Sequence, residues 1–473
     1  MSKTVLRVGV GVSYFKTAQN GFNSYSTGSQ NIYNAPSYGD PAYSLSAGVP
    51  YKITWPNFDP GQVPLPGTVA SPSQQIDPHA GRPPRILEWS IGLQREIGKD
   101  IVVEATYVGN RGVWWNSAYI ICPNCLTPEA LAAYKLDLNN AADRTLLASP
   151  LNSSIAINRG FANPPYSGFP LTSPVNQALR PFPQFGNITN MHWAPNGDTW
   201  YDSLQLKAVK RFSHGLDVTA SYTWEKSFSM GTEADISTLS PVSPATNDVF
   251  NRAQNRYLSG LDQPMLLVIA GSYTTPKWGT GQSMAGRALS WAARDWQIGT
   301  ILRYASGLPI MAPIATNGIR ELLFRQTGAV GTTGGTFWNR VPDQPLFLQD
   351  LNCHCFDPNT NFVLNPKAWV NPAAGQWGTS AGFYGEYRYQ RRPSESLSLG
   401  RNFSFREGRM NFQVRADFTN VFNRTEPVNP VSNNAGATQS TSGGLTTGGF
   451  GYINTASVFA QPRQGTLVAR FTF

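Results

Sequence analysis

Apolar and polar residues alternate with a period of two in ten separate segments of this 473-residue chain. Successive side chains of a strand point to opposite faces, so each segment carries one apolar and one polar face. The first sets Leu6, Val8, Val10, Val12 and Tyr14 against Arg7, Gly9, Gly11 and Ser13. Leu87, Trp89, Ile91 and Leu93 form the second, Ile101, Val103, Ala105 and Tyr107 the third, and Leu204, Leu206 and Ala208 the fourth. The fifth sets Leu216, Val218, Ala220, Tyr222 and Trp224 against Asp217, Thr219, Ser221, Thr223 and Glu225. Segments 263–275, 295–305, 394–405, 409–422 and 464–473 complete the set. In the ninth, Met410, Phe412, Val414, Ala416 and Phe418 oppose Asn411, Gln413, Arg415, Asp417 and Thr419.

The links between segments alternate in length. Gly98-Lys99-Asp100, Ser213-His214-Gly215 and Arg406-Glu407-Gly408 are tight hairpins, and 276–294 is a somewhat longer link on the same side. The other links run over 16–85, 110–198, 227–262, 306–393 and 423–462. A soluble sandwich is the competing explanation for alternating strands. Structureless loops of that length are rare in a compact domain, however. Aromatic residues also gather near the segment ends, among them Tyr107, Trp200, Tyr222, Trp224, Trp296 and Tyr304. Short turns at one end, long loops at the other and aromatic girdles between them describe a transmembrane barrel. The expected fold is all-β: an antiparallel transmembrane β-barrel piece of about ten strands with long extracellular loops.

Composition agrees with that reading. Charged residues make up 14% of the chain, against the roughly 25% usual for soluble domains. The longest apolar run, 265–270, is far too short for a membrane-crossing helix. The net charge of +9 is spread along the chain without a Lys/Arg block, so no nucleic-acid partner is expected. The first residues alternate where a secretion signal would be continuously apolar. A chain that starts inside a strand reads as the remainder of something longer, with its first and last strands as unpaired edges of an open half-barrel.

Four stretches carry a family resemblance. ILEWSIGLQREIGKDIVVEATYVGNRG (86–112), YDSLQLKAVKRFSHGLDVTASYTWEKSFS (201–229), LSLGRNFSFREGRMNFQVRADFTNVFNRTEP (397–427) and FGYINTASVFAQPRQGTLVARFTF (450–473) resemble, in family order, the Oar-like branch of TonB-dependent receptors. The resemblance implies that residues 1–473 are the C-terminal portion of a barrel of about 22 strands. It also implies that the signal peptide, plug domain and N-terminal strands are absent. The implied partners are outer-membrane lipid, the barrel assembly machinery and, only through the missing plug, the TonB complex. The implied role is part of the wall of a transporter in the cell outer membrane. Two other readings stay open: a surface adhesion protein using the barrel as a loop platform, and a soluble secreted β protein with glycan-binding loops.

Chemistry-bearing residues are sparse. Cys122, Cys125, Cys353 and Cys355 fall in two loops and are candidates for one or two disulfides, for free thiols, or for a zinc site joined by His354. Four cysteines allow three connectivities, and spacing does not choose among them. His79, His192, His214 and His354 sit in no nucleophile motif, so no catalytic residue, enzyme activity or cofactor is expected. Glu88, Glu96, Glu104, Asp217, Glu225 and Asp417 share polar faces with Arg7, Lys207, Arg303, Arg415 and Arg470, as in a hydrated lumen wall of mixed sign. The glycine-rich stretches 331–335 and 443–451 lack the lysine of a phosphate loop. Residues 127–138 read as a loop helix, with Thr127 as N-cap and Pro128 in the first turn. Trp114, Trp115, Tyr119 and Trp193 are the leading candidates for loop contacts with a ligand.

The chain ends in alternating register, with Ala469, Phe471 and Phe473 on one face. A terminal strand can be recognised by strand addition, its alternate side chains filling pockets. Phe471 and Phe473 are therefore the candidate assembly signal. Replacing Phe473 by Ser in a full-length parent should lower membrane insertion more than Thr472→Ser does, as read from heat-modifiable barrel in isolated outer membranes. Unchanged insertion would leave Phe473 as a girdle aromatic alone.

Overall fold

A computed structural model describes residues 3–15, 35, 37–44, 46–48, 67, 69, 75–79, 81–98, 100–117, 120, 122–185, 191–192, 194–231, 247–276, 283–315, 317–324, 336–353, 355–405 and 410–473. Ten long strands form one antiparallel sheet: β1 (Thr4–Tyr14), β2 (Arg85–Ile97), β3 (Ile101–Trp115), β4 (Gly197–Ser213), β5 (Leu216–Met230), β6 (Met265–Thr274), β7 (Trp296–Ala305), β8 (Ser394–Phe405), β9 (Met410–Thr419) and β10 (Gln464–Thr472). They lie in sequence order, each paired with the next, and a short strand at Tyr257–Leu258 adds to the upper end of β5. All ten expected strands are present. The Ser213–Leu216 turn closes tightly because His214 and Gly215 both adopt positive φ, 51° and 81°, the conformation that matches strand twist. The expected hairpin at 406–408 lies outside the described residues.

Register turns the separate alternations into continuous surfaces. One row runs Leu6, Leu93, Ala105, Leu206, Tyr222, Leu267, Tyr304 across seven strands. A second runs Leu216, Tyr273, Ile298, Leu399, Ala416, Leu467. Immediately behind the second, on the opposite face, lie Asp217, Ser272, Gly299, Ser398, Asp417 and Thr466. There Ser398 donates to Asp417 at 2.7 Å, and Arg415 pairs with the same carboxylate at 3.0 Å. Tyr107, Trp224 and Tyr304 fringe the apolar face toward the long loops. Phe403, Phe412 and Phe471 fringe it toward the short links, with Phe403 stacked on Phe412 at 6.2 Å. Leu216 to Trp224 spans about 26 Å along β5 at 3.3 Å per residue, enough for a tilted strand to cross a bilayer core.

Val10 is 75% exposed and Leu467 76%, and this apolar face continues over the whole sheet. Its area far exceeds the few hundred square ångströms a soluble protein leaves uncovered, so its solvent is lipid. Among the described residues no helix is long and apolar enough to cross a membrane; the strands do so. Among the described residues β1 pairs only with β2 and β10 only with β9, so the sheet is open.

Two expectations need correction. The polar face is not polar throughout: Leu266, Val268 and Ala270 of β6 lie on it, with Ile301 of β7 opposite Ala270. This gives the lumen wall an apolar stripe, and β6 reads as an unbroken apolar run because both its faces are apolar. The long loops, expected to be structureless, instead hold the buried cores of the molecule. One core gathers Cys125, Leu126, Leu131, Leu146, Leu147, Leu151, Phe169 and Val175 from the β3–β4 loop with Ile319, Leu322 and Leu323 from the β7–β8 loop. The other joins Tyr257, Ile310, Phe337, Leu364, Trp369, Phe383 and Tyr387 to Phe450 and Ile453 of the β9–β10 loop. Each fully buried aliphatic or aromatic side chain contributes about 1.5–3 kcal/mol.

Short helices shape these loops, namely α1 (Pro128–Ala133), α2 (Ala141–Ala148), α3 (Ser154–Asn158), α4 (Val175–Ala178) and α6 (Ile319–Phe324), while α5 (Met284–Ala293) lies in the β6–β7 link. Thr127 caps α1 as expected, its hydroxyl accepting from the Ala130 amide at 3.2 Å, but the helix stops at Ala133 instead of running to 138. Lys135 takes a positive φ of 57° and turns the chain, which lets Leu136 enter the core.

The register carries a test. Val414 faces lipid beside Ala469, while Gln413 faces the lumen beside Arg470. Arginine on the lipid face costs about 2–4 kcal/mol at the bilayer midplane and about 0–1 near the interfaces, and Val414, opposite Arg401 and one row inside the lower fringe, lies between these limits. Val414→Arg should therefore reduce folded protein in vesicle refolding well below Gln413→Arg. Equal losses would place the strand one residue out of register.

Candidate functional site at the rim of the sheet

The loop canopy is fastened to the sheet by buried ion pairs. Asp262, in the β5–β6 loop, has a side chain only 1% exposed. Its carboxylate accepts from the Ser227 amide at 2.8 Å and pairs with Arg388 of the β7–β8 loop. Arg388 also donates to the carbonyls of Asp262 at 2.7 Å, Gly307 at 3.2 Å and Gly385 at 2.7 Å. One guanidinium thus holds three chain segments together. Beside it, Glu225 at the top of β5 accepts from the Gln263 amide at 2.5 Å. A second clasp joins Glu395 of β8, also 1% exposed, to Arg424, whose Nε lies 3.0 and 3.1 Å from the two carboxylate oxygens.

Between these clasps, a cleft of about 480 Å³ opens at the rim, lined by Arg303, Arg392, Asn420, Arg424, Glu426 and Asn429 among others. A neighbouring cleft of about 570 Å³ shares Ser306, Gly307 and Tyr389 with it. Arg392 donates to Asn429 at 2.6 Å and stacks on Phe459 at 3.3 Å. Burial pulls the Arg392 guanidinium below its ordinary value, and the nearby Glu426 works against that shift. Arg303 stands on the lumen face of β7, opposite Val268 and Ser394. Among the described residues it makes no hydrogen bond or ion pair. With Arg424 already paired to Glu395, Arg303 and Arg392 remain as the cations that suit an anionic group, a carboxylate or a phosphate, held by forked donors.

The candidate residues from sequence fall differently. Cys122 is bonded to Cys125 and Cys353 to Cys355, so the four sulfurs are not gathered on one site. Among the described residues no cluster of His, Cys, Asp and Glu could hold a metal; His354 lies outside them. Trp114 has a φ of 65° and lies under Arg82 and Arg85, at 3.5 and 4.4 Å. Trp115 packs 5.6 Å from Phe15 beside a bulge in β3. Both are engaged in packing at the end of the sheet and neither lines the arginine cleft. Tyr119 and Trp193 lie outside the described residues. Phe471 sits in the lower aromatic fringe, with Phe473 6.2 Å beyond it.

Sequence reading missed Asp262, Arg388, Glu395 and Arg424. The stretch 386–395, EYRYQRRPSE, offered a signal in its three arginines. Nothing local marks Asp262, whose partner lies 126 residues away.

The model for the outer membrane beta barrel domain family matches residues 1–465. No curated protein matches. Among solved structures, the chain is similar to the outer membrane transporter YddB from Escherichia coli, at 11% identity and a TM-score of 0.31, covering 86% of this chain and 34% of that one. It is similar to the P. putida toluene transporter TodX at 8% identity and a TM-score of 0.17, covering 71% and 55%. It is similar to BauA, the ferric preacinetobactin receptor from Acinetobacter baumannii, at 9% identity and a TM-score of 0.23, covering 71% and 34%. The chain therefore spans about a third to a half of the length of these proteins.

The Asp262–Arg388 clasp makes a direct prediction. Removing one partner of a buried pair costs about 3–5 kcal/mol, because the other charge is left uncompensated. Arg388→Ala should expose the 306–393 loop to limited proteolysis at protease levels the parent chain resists. The double variant Asp262→Asn/Arg388→Ala should recover part of that resistance.

Proposed function

We propose that this chain, which belongs to the outer membrane beta barrel domain family and resides in the outer membrane, forms part of the wall of a TonB-dependent receptor of the Oar-like type. The observation that carries this reading is the joint arrangement of the two faces and the rim. Rows of mostly apolar side chains face lipid, charged and hydroxyl side chains flank an apolar stripe on the other face, and an arginine-lined cleft opens where the canopy meets the sheet. A receptor that takes up ligand from outside needs these three features together: a lipid-facing wall, a hydrated lumen and a binding surface at the outer mouth. The resemblance of 86–112, 201–229, 397–427 and 450–473 to that family supports the finer assignment.

In this role the chain binds and guides ligand and performs no bond-making step. Arg303 and Arg392 act as donors to an anionic ligand group, while the Asp262–Arg388 and Glu395–Arg424 pairs hold the loops in place. In a receptor of this type TonB acts through a plug domain, and the assembly machinery reads the C-terminal strand.

The test is the DNA upstream of Met1. An in-frame region encoding a secretion signal and a plug domain is expected. A start signal of its own directly before Met1, with no plug upstream, would overturn the transporter reading in favour of a surface platform for the loops.

A further inference from the structure

The β6–β7 link is on the short-link side of the sheet, yet it carries a ten-residue helix, α5, which no alternation in the sequence foretells. Ser283 caps its start, accepting from the Gly286 amide at 3.0 Å. Its C-terminal end is fastened to the strand ends. Trp296 donates its indole N–H to the Ala292 carbonyl at 2.7 Å, and Thr275 donates its hydroxyl to the Ala293 carbonyl at 2.8 Å. Arg401 of β8 donates to the carbonyls of Trp291 and Ala292, where a cation also suits the helix dipole.

This fastening fixes which side of α5 is free. Ser290 is buried, whereas Met284 is 89% exposed, Leu289 72% and Trp291 53%. At 3.6 residues per turn, Met284, Ala288, Leu289, Trp291 and Ala292 share one broad apolar side, Ser290 is turned inward, and the exposed Arg287 lies between Ser290 and Trp291. The exposed apolar side is continuous with the lipid-facing surface of the sheet. Trp291 lies 6.4 Å from Phe403. Arg401, stacked over Trp291 at 4.4 Å and Phe403 at 4.9 Å, is itself in the lipid-face row between Trp296 and Val414. The helix therefore leaves the sheet at the level of the lower aromatic fringe.

We infer that α5 is an in-plane membrane helix, lying in the headgroup region of the periplasmic leaflet with Met284, Leu289 and Trp291 among the acyl chains. A short helix with one apolar side, a tryptophan and a flanking arginine has the character of an interfacial anchor. Its occupant is lipid, because the surface it extends already faces lipid. A protein partner would have to sit inside that same band. The role is mechanical: α5 fixes the height of β6, β7 and β8 in the bilayer and shields the open β6–β7 end from water. It stands apart from the transport reading, since it needs only that the sheet spans a membrane.

The experiment uses the full chain reconstituted in phosphatidylcholine vesicles, with a nitroxide on Leu289→Cys or Arg287→Cys; the four native cysteines are paired. Spin relaxation by oxygen, which concentrates in acyl chains, is compared with relaxation by a water-soluble nickel chelate. The oxygen-to-nickel ratio at 289 should be several-fold higher than at 287. In a separate sample, native Trp291 should be quenched by lipids brominated near the headgroup more than by lipids brominated at the chain ends, with Trp291→Phe as the subtraction control. A label at 289 that the nickel chelate reaches freely would place the helix in water and overturn the inference. A label shielded from both reagents would show a protein cover and overturn it equally. If the labelled variants do not insert, the tryptophan quenching of the native chain decides.

Discussion

Every backbone N–H and C=O that enters hydrocarbon must find its partner within the protein, since lipid offers none. In this chain the requirement is met strand by strand, from β1 through β10, in an antiparallel ladder. All else about the sheet follows from that pairing. Because side chains alternate, a continuous ladder sorts residues into two continuous faces, and a slip of one residue at any strand would invert the sorting for that strand. Among the described residues the ladder runs from strand to strand, with register shifts at Val113–Trp115 and Lys210–Ser213, and is left open along the outer edges of β1 and β10. Those two edges are where further strands, or closure, are needed before the sheet is comfortable in a bilayer.

The interior of this molecule is consequently unlike that of a soluble β protein. The sheet contributes little to the buried apolar cores, because its apolar face is directed to lipid. The cores form in the loops. The β7–β8 loop contributes to both, Ile319, Leu322 and Leu323 to one and Phe337, Leu364 and Trp369 to the other. It also supplies Arg388, which reaches back to Asp262 at the rim. One loop therefore joins canopy to canopy and canopy to sheet, and the arginine cleft lies beside that junction. The proposed binding surface and the mechanical clasp share neighbouring residues, so an anion held at Arg392, in the cleft that Arg424 also lines, would bear directly on how the canopy is held.

The candidate ligand residues show what local reading can reach. Aromatics in loops draw attention as binding anchors, yet Trp114 is occupied by Arg82 and Arg85, and Trp115 by Phe15. An arginine at a polar position of a strand, such as Arg303, looks like one member of a mixed-sign wall. It becomes notable only when its cross-strand neighbours prove to be Val268 and Ser394, neither of which carries a charge to balance it. The helix α5 escaped notice for a related reason: small residues dominate it, and its free side is defined by which carbonyls Arg401 and Trp296 grasp.

What the sequence determined by itself is the set of ten strands, their faces and the side on which the short turns lie. Those properties depend on alternation with period two and on turn residues such as His214 and Gly215, both local quantities. The pairing of each cysteine with its near neighbour, the two loop cores, the Asp262–Arg388 clasp and the placing of Arg303 between Val268 and Ser394 were decided only by tertiary structure. Long loops carry no periodicity, and contacts across 126 residues, as between Asp262 and Arg388, are set by how the loops pack against one another once the sheet has fixed their ends.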